Sequence, residues 1–233
     1  MKEPMKAHGK PHSLEYVIPQ PLRQGVAAFA SFKDKRGEIV PIVFAKPFGR
    51  DATRVRLKFP PDTPPGSYSG TVRIGDATHA ATVEVTGEAR VRISPSSVRL
   101  SGTSGQRFRV ELSAVNEGNA ACRIETAYGV GLFAEGGVED ALGAAYRKSE
   151  HGGQERVAIL ADKLASAHGG LMRVQIEDGA GDLAPNEVRT LCANVRLPDN
   201  LKPGRLYTGA LKILNAQCEF RIDVPDSTGE EKQ

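Results

Sequence analysis

A motif that occurs twice narrows the possible folds more than any other feature of this chain. Pro61-Asp62, Pro65-Gly66, Tyr68, Gly70 and Val72-Arg73-Ile74 are matched further along by Pro198-Asp199, Pro203-Gly204, Tyr207, Gly209 and Leu211-Lys212-Ile213. Recurrence at a domain-sized interval marks a duplicated structural unit. In each copy Pro-Gly makes a tight turn and a tyrosine follows. Two alternating strands come next, at 68–74 and 78–85, and again at 207–213 and 217–224. Each copy therefore ends in a β-hairpin. The strand before each turn repeats as well: Val55, Leu57 and Phe59 alternate with Arg54, Arg56 and Lys58, as Leu191, Ala193, Val195 and Leu197 alternate with polar neighbours.

The front halves agree more loosely. Ile18-Pro19 leads through Gly25 to Phe29 and Phe32, and Ile93-Ser94-Pro95 leads through Gly105 to Phe108, Val110 and Leu112. A turn follows each, at 35–38 and 116–119, and then another strand. Short alternating strands with frequent turns fit an antiparallel β-sandwich, in which each strand buries one face and wets the other. A chain of 233 residues with 39% hydrophobic content can build two such cores. The expected division is a polar tail at 1–13, one domain at 14–87, a second at 90–225 and a polar tail at 226–233.

The run from Ile93-Ser94-Pro95 through Leu112-Ser113-Ala114-Val115-Asn116-Glu117-Gly118-Asn119 resembles the opening of bacterial immunoglobulin-like domains, where an Asn-x-Gly turn ends the second strand. The Pro-Gly-x-Tyr-x-Gly stretch at 65–70 resembles their penultimate strand. The resemblance covers most of 14–225 outside one insertion. It implies an all-β fold of two tandem immunoglobulin-like antiparallel β-sandwiches, and it says little about task. Two such domains in a chain of this size also resemble the periplasmic pilus chaperones, without their export signal or a match to their subunit-binding strand. The Tyr68 and Tyr207 hydroxyls are placed to brace a loop backbone as a tyrosine corner does.

The second copy differs from the first at 126–170, where strand alternation gives way to helical spacing: Val138, Leu142 and Ala145, then Val157, Leu160, Ala161 and Leu164. Two short amphipathic helices are expected. Glu139 and Asp140 suit the start of the first and Arg147 and Lys148 its end, with His151-Gly152-Gly153 as hinge and His168-Gly169-Gly170 as stop. The insertion either caps its own sandwich or presents Val138, Leu142, Val157, Leu160 and Leu164 to another chain.

Catalytic and metal signals are weak. Gly129-x-Gly131-x-x-Ala134 matches the dinucleotide fingerprint only formally, because no βαβ unit follows, and it reads as a mobile loop. Glu177, Asp178 and Asp182 lack the EF-hand spacing and read as an acidic turn. The five histidines are scattered, and no Gly-x-Ser-x-Gly elbow occurs. Cys122 and Cys218 alternate in phase with core residues and Cys192 does not, so two buried thiols and one outward thiol are expected. The chain is read as no enzyme, with no catalytic residue, metal or cofactor.

With 31 basic and 28 acidic side chains, any charge signal must be local. Arg54, Arg56 and Lys58 share one strand face, as do Arg90 and Arg92, and Arg107 and Arg109. Such rows can hold phosphates or acidic proteins. Nucleic acid is disfavoured because there is no Trp and most Phe residues fall on expected inward positions. No apolar run approaches the roughly 20 residues of a membrane helix. The polar start suggests the cytoplasm, or the periplasm or secretion if a leader was removed. The leading expectation is a non-catalytic assembly or adaptor protein that binds another protein or itself. The alternative is a polyanion- or carbohydrate-binding module, and no particular small-molecule ligand is named by the sequence.

Overall fold

The computed structural model describes residues 5–19, 21–22, 27–34, 37–148 and 153–226, without the side chains of Asp34 and Lys148. Gly25, the first half of the expected 35–38 turn, most of the 151–153 hinge and the 227–233 tail lie outside the described residues. The chain forms two compact units. Unit 1 comprises Met1–Arg90, Asn116–Cys122 and Ala184–Glu187, and unit 2 comprises Val91–Val115, Arg123–Leu183 and Val188–Gln233.

Unit 1 contains β1 (Met5–Gly9), β2 (Leu14–Ile18), β3 (Ala28–Asp34), β4 (Gly37–Ile39), β5 (Ile42–Pro47), β6 (Thr53–Lys58), β7 (Gly66–Ile74) and β8 (Ala77–Val85). They form two sheets, β1-β8-β7-β3-β4 and β2-β6-β5. Lettered in the immunoglobulin manner, β2 to β8 are B, C, C′, D, E, F and G, so a G-F-C-C′ sheet faces a B-E-D sheet. Side chains that alternate inward from both sheets make one core. Within it Phe59 lies 5.3 Å from Phe32 and 6.0 Å from Tyr68, ring to ring.

The 1–13 segment is not simply a tail. Met5–Gly9 pairs in parallel with β8, Met5 opposite Ala81 and Gly9 opposite Val85. Lys6 and His8 face out while Met5 and Ala7 pack partly against the core. The strand is short and places only Met5 and Ala7 against the core, so its alternation is faint in the sequence.

Unit 2 contains β9 (Val91–Ser94), β10 (Ser97–Ser101), β11 (Arg107–Asn116), β12 (Cys122–Ile124), β13 (Ala127–Ala134), α1 (Gly137–Lys148), α2 (Gly153–Ala167), β14 (His168–Asp178), β15 (Gly181–Leu183), β16 (Val188–Arg196), β17 (Arg205–Ile213) and β18 (Ala216–Val224). Eight strands run in one ladder, β10-β18-β17-β13-β14-β16-β11-β9, with β12-β15 as a separate pair. The two ends of the ladder, β9 and β10, are consecutive pieces of one segment. The ladder is thinnest between β13 and β17, which pair through Phe133 with Thr208 and Ala134 with Tyr207. On the other side β14 pairs with both β13 and β16, with a bulge in each pairing.

Two expectations are corrected here. The Gly129-x-Gly131-x-x-Ala134 stretch is not a loop but the body of β13, with Val130 and Leu132 in the core. Its glycines thin the alternation that marks a strand. The helical part of the insertion is accordingly confined to α1 and α2.

The repeated residues have one structural job in both units. Tyr68 Oη donates to the Pro64 carbonyl at 2.7 Å, and Tyr207 Oη accepts from the Lys202 N–H at 3.0 Å, so each buried phenol pins the turn that precedes its strand. Gly70 and Gly209 sit where another strand crosses closely. A Cβ at Gly70 would collide with the Ser31 carbonyl and lie 2.7 Å from Phe32 Cα, and one at Gly209 would lie 2.7 Å from the Gly131 carbonyl. Tyr16 ties the two sheets of unit 1 together, its hydroxyl donating to the Thr82 carbonyl at 2.9 Å. Its burial pushes the phenol pKa well above the usual range.

Gly70→Ala is expected to lower unfolding free energy by about 2–3 kcal/mol through overpacking. Gly153→Ala, where nothing lies within 4 Å, should change it by less than about 1 kcal/mol. Urea denaturation of both variants checks the contrast. For Tyr16 the raised folded pKa means its contribution is complete below the unfolded value near 10 and is lost as pH climbs past it. The stability gap between wild type and Tyr16→Phe should then shrink by up to about 1.4 kcal/mol per pH unit above pH ~10. A gap constant between pH 8 and pH 11 would contradict this.

Candidate functional site

The candidate site begins with β6. Thr53, Val55 and Leu57 point into the core of unit 1, so Arg54, Arg56 and Lys58 must point out. The pairing register completes that outer face. Arg56 stands between Glu15 on β2 and Phe44 on β5, Arg54 between Val17 and Lys46, and Lys58 beside Ile42. A cationic middle strand is thus flanked by exposed apolar side chains, with Val17, Ile42 and Phe44 at 52%, 60% and 55% exposure. At about 3.4 Å per residue the row from Arg54 to Lys58 spans roughly 14 Å.

This face floors a cleft of about 740 Å³. Glu88, Arg90, Glu117, Gly118 and Asn119 form a further wall, and Pro11, His12 and Pro61 also line the cleft. The Asn-x-Gly turn builds that wall. Asn116 Oδ1 accepts from the Gly118 N–H at 3.0 Å and its amide donates to the Ala120 carbonyl at 2.8 Å, forming an Asx turn. Residues 88–90 then bind the turn edge-on: Glu117 N–H donates to the Arg90 carbonyl at 2.6 Å and Asn119 N–H to the Glu88 carbonyl at 2.9 Å. Gly118 is required there, because a Cβ would run into the Glu88 carbonyl and lie 2.7 Å from the Arg90 nitrogen. Asn119, buried, donates to the carbonyls of Thr63 (2.8 Å) and Thr86 (3.0 Å) and accepts from the Glu88 N–H (2.7 Å).

The charges in the cleft fall into two groups. Arg56 lies 3.4 Å from Glu15, Arg90 3.9 Å from Glu117, and Glu88 is held by Lys10 at 2.6 Å. Arg54 instead stacks over the Phe48 ring at 4.3 Å. Among the described residues no carboxylate lies within ion-pair distance of Lys46, Arg54 or Lys58. Four of the residues singled out by charge pattern, Arg54, Arg56, Lys58 and Arg90, thus meet in one place. Lys46, Phe44 and the 117–119 wall were not foreseen. Arg92, Arg107 and Arg109 belong to unit 2 and take no part in the cleft. Arg109 sits beside Cys192, which raises its pKa, with smaller contributions from Glu177 and Glu111.

The expectation that most Phe residues face inward is not met, since Phe29, Phe44, Phe48 and Phe133 are exposed. On β3 and β5 the flanking sequence offers apolar residues on both faces, and burial chose Phe32 over Phe29 and Val43 and Ala45 over Phe44.

A second surface lies on the helices. Among the described residues α1 and α2 pack chiefly on each other, with smaller contacts to β13 and β14. The buried side chains of α1 are Ala141 and Ala145, while Val138 and Leu142 are 42% and 43% exposed. Val157 is exposed, and Leu160 and Leu164 are half-buried. Tyr146, at the next helical turn after Leu142, was missed in the sequence. It is 72% exposed, with the Arg156 guanidinium 5.9 Å from its ring.

All three cysteines are free, Cys122 and Cys218 buried and Cys192 half-buried. Burial pushes the Cys218 thiol up. Among the described residues no cluster of three or more His, Cys, Asp or Glu is arranged to hold a metal, and no helix is long and apolar enough to cross a membrane.

Asn119→Ala should cost about 2–3 kcal/mol by orphaning two carbonyls and one N–H in a buried setting, a loss thermal unfolding would register.

No protein-family model matches the chain, and neither does any curated protein sequence. Among solved structures it is similar to a titin structure (10% identity, TM-score 0.30, 97% of each chain covered). It is also similar to Dpr11 IG1 bound to DIP-gamma IG+IG2 (10% identity, TM-score 0.32, 96% of this chain and 97% of that one). A third likeness is to bovine butyrophilin (11% identity, TM-score 0.30, 96% and 95%).

Proposed function

We propose that this chain is a non-catalytic assembly protein whose immunoglobulin-like units act as a scaffold and whose α1–α2 hairpin docks a protein partner, in the first instance a second copy of the chain. The observation that carries this is the line Val138, Leu142 and Tyr146. Three large apolar side chains one helical turn apart stay exposed on α1 while its alanines are buried. An exposed apolar row on an otherwise polar hairpin marks an interaction surface more often than a solvated face.

The charges around this row favour self-pairing. Glu139 and Asp140 lie in the first turn of α1 and Arg147 in its last. Two α1 helices laid antiparallel would bring Val138 of each toward Tyr146 of the other and set the acidic turn of one against Arg147 of the other. An isologous contact of this kind closes on itself as a dimer and does not propagate.

Sedimentation at micromolar to millimolar concentration is expected to show a monomer–dimer equilibrium. Leu142→Glu should abolish it with unfolding temperature unchanged. Glu139→Lys with Asp140→Lys should weaken it, and adding Arg147→Glu should restore it. A monomer at every concentration, together with no crosslinked partner in native cells, would end this reading.

A further inference from the structure

We propose that the cleft of unit 1 is a binding site for an acidic glycan, a short run of sugars bearing carboxylate or sulfate groups, seated along Arg54, Arg56 and Lys58 with a sugar face on Phe44.

The anionic character of the ligand follows from the unpaired cations. Lys46, Arg54 and Lys58 line one side of the cleft with no carboxylate at ion-pair distance among the described residues. Arg54 is held in place by the Phe48 ring rather than by an acid. Arg54 and Lys58 stand four residues apart on β6, about 14 Å, and Lys46 lies across from Arg54, so these cations are spread along the face, which suits charges distributed along an extended chain better than one compact anion.

The sugar character follows from the remaining lining. Glu15, Glu88 and Glu117 also face the cleft, each already beside a cation. Carboxylates accept hydrogen bonds from hydroxyl groups, which a glycan carries on every sugar between its charged groups. Phe44 gives a flat apolar surface 55% exposed beside Arg56, its cross-strand neighbour. Phe44 and His12 are the aromatic rings lining the cleft among the described residues, few for nucleic acid, where successive bases each need a stacking partner. An acidic peptide is disfavoured for another reason. The cations stand on the face of β6, whose backbone already pairs with β2 and β5, so no main-chain groups of that strand remain to add a peptide strand.

The test is titration calorimetry of the full chain with a heparin-derived hexasaccharide and with hexagalacturonate, which separate sulfate from carboxylate recognition. A neutral dextran hexaose, a dT10 oligonucleotide and hexaglutamate serve as comparators. At low salt at least one acidic hexasaccharide should bind, more weakly as salt rises. Arg54→Glu with Lys58→Glu should weaken it by at least about tenfold, the loss of charge-assisted contacts. Phe44→Ala should weaken it by about three- to tenfold while leaving the salt dependence unaltered, which bulk electrostatic attraction would not produce. Arg107→Glu with Arg109→Glu, and the hairpin variant Leu142→Glu, should leave affinity unchanged. If the double reversal fails to fold, Lys46→Gln with Lys58→Gln, both on exposed side chains, takes its place with the same expectation in direction. Absence of binding by either acidic hexasaccharide at low salt overturns the proposal. So does equal affinity for dT10 or hexaglutamate, or affinity indifferent to both the charge variants and Phe44→Ala.

Discussion

The side-chain period of a β-strand is two, and both the core and the cleft of unit 1 depend on that single constraint at β6. Burying Val55 and Leu57 in the core leaves Arg54, Arg56 and Lys58 no direction but outward. A slip of one residue would bury three cations and expose the core, so the same term that stabilises the sandwich fixes the register of the basic row. The neighbours across the sheet are then set as well, because Glu15 and Phe44 come to flank Arg56 only in the register that also closes the core. A binding face built this way needs no flexible loop to position it.

Gly70 and Gly209 impose a second constraint, on backbone and not on side chains. Close crossing of neighbouring strands excludes a Cβ at each. A tyrosine two residues earlier on each strand then fills the core and fastens the preceding turn. Because both requirements are local and stringent, both copies spell them with the same residue types, and this is why the tandem sandwich could be read from the sequence. The strands that escaped notice did so for different reasons. β1 is short and only half-buries Met5, Ala7 and Gly9, and β13 carries Gly129 and Gly131 in place of polar residues on its outward row. Weak alternation in these places does not mean the absence of a strand.

The cleft was half legible for a related reason. Its floor is one continuous strand, and strand periodicity reveals such a face. Its wall is the 116–119 turn held on residues 88–90, a long-range contact that no local pattern announces. Asn116 and Gly118 did signal a turn, but Asn119, the side chain that anchors the wall to three backbone groups, looks in the sequence like any turn asparagine. Phe44 was misjudged because a hydrophobic residue on a strand is taken to be buried. On β5 the smaller Val43 and Ala45 pack inward and the ring is left to solvent.

The same contest between small and large residues shapes the helical hairpin. Helical spacing marks Val138 and Leu142 as one apolar stripe, and an amphipathic helix is ordinarily expected to bury such a stripe. Ala141 and Ala145 are buried in their place, and Gly137 meets Ala167 so closely that a Cβ there would lie 2.6 Å from its methyl. Small residues let two helices approach more closely, so the tight hairpin turns its bulkier stripe away. The two exposed surfaces consequently obey different physics. Pairing through Val138, Leu142 and Tyr146 would rest chiefly on apolar burial, with its Glu139, Asp140 and Arg147 contacts alone weakened by salt, whereas a ligand on Arg54, Arg56 and Lys58 would be released as counterions screen it. Ionic strength therefore separates the two surfaces within one unmodified protein, because the apolar contact gains little from low salt and the cationic cleft depends on it.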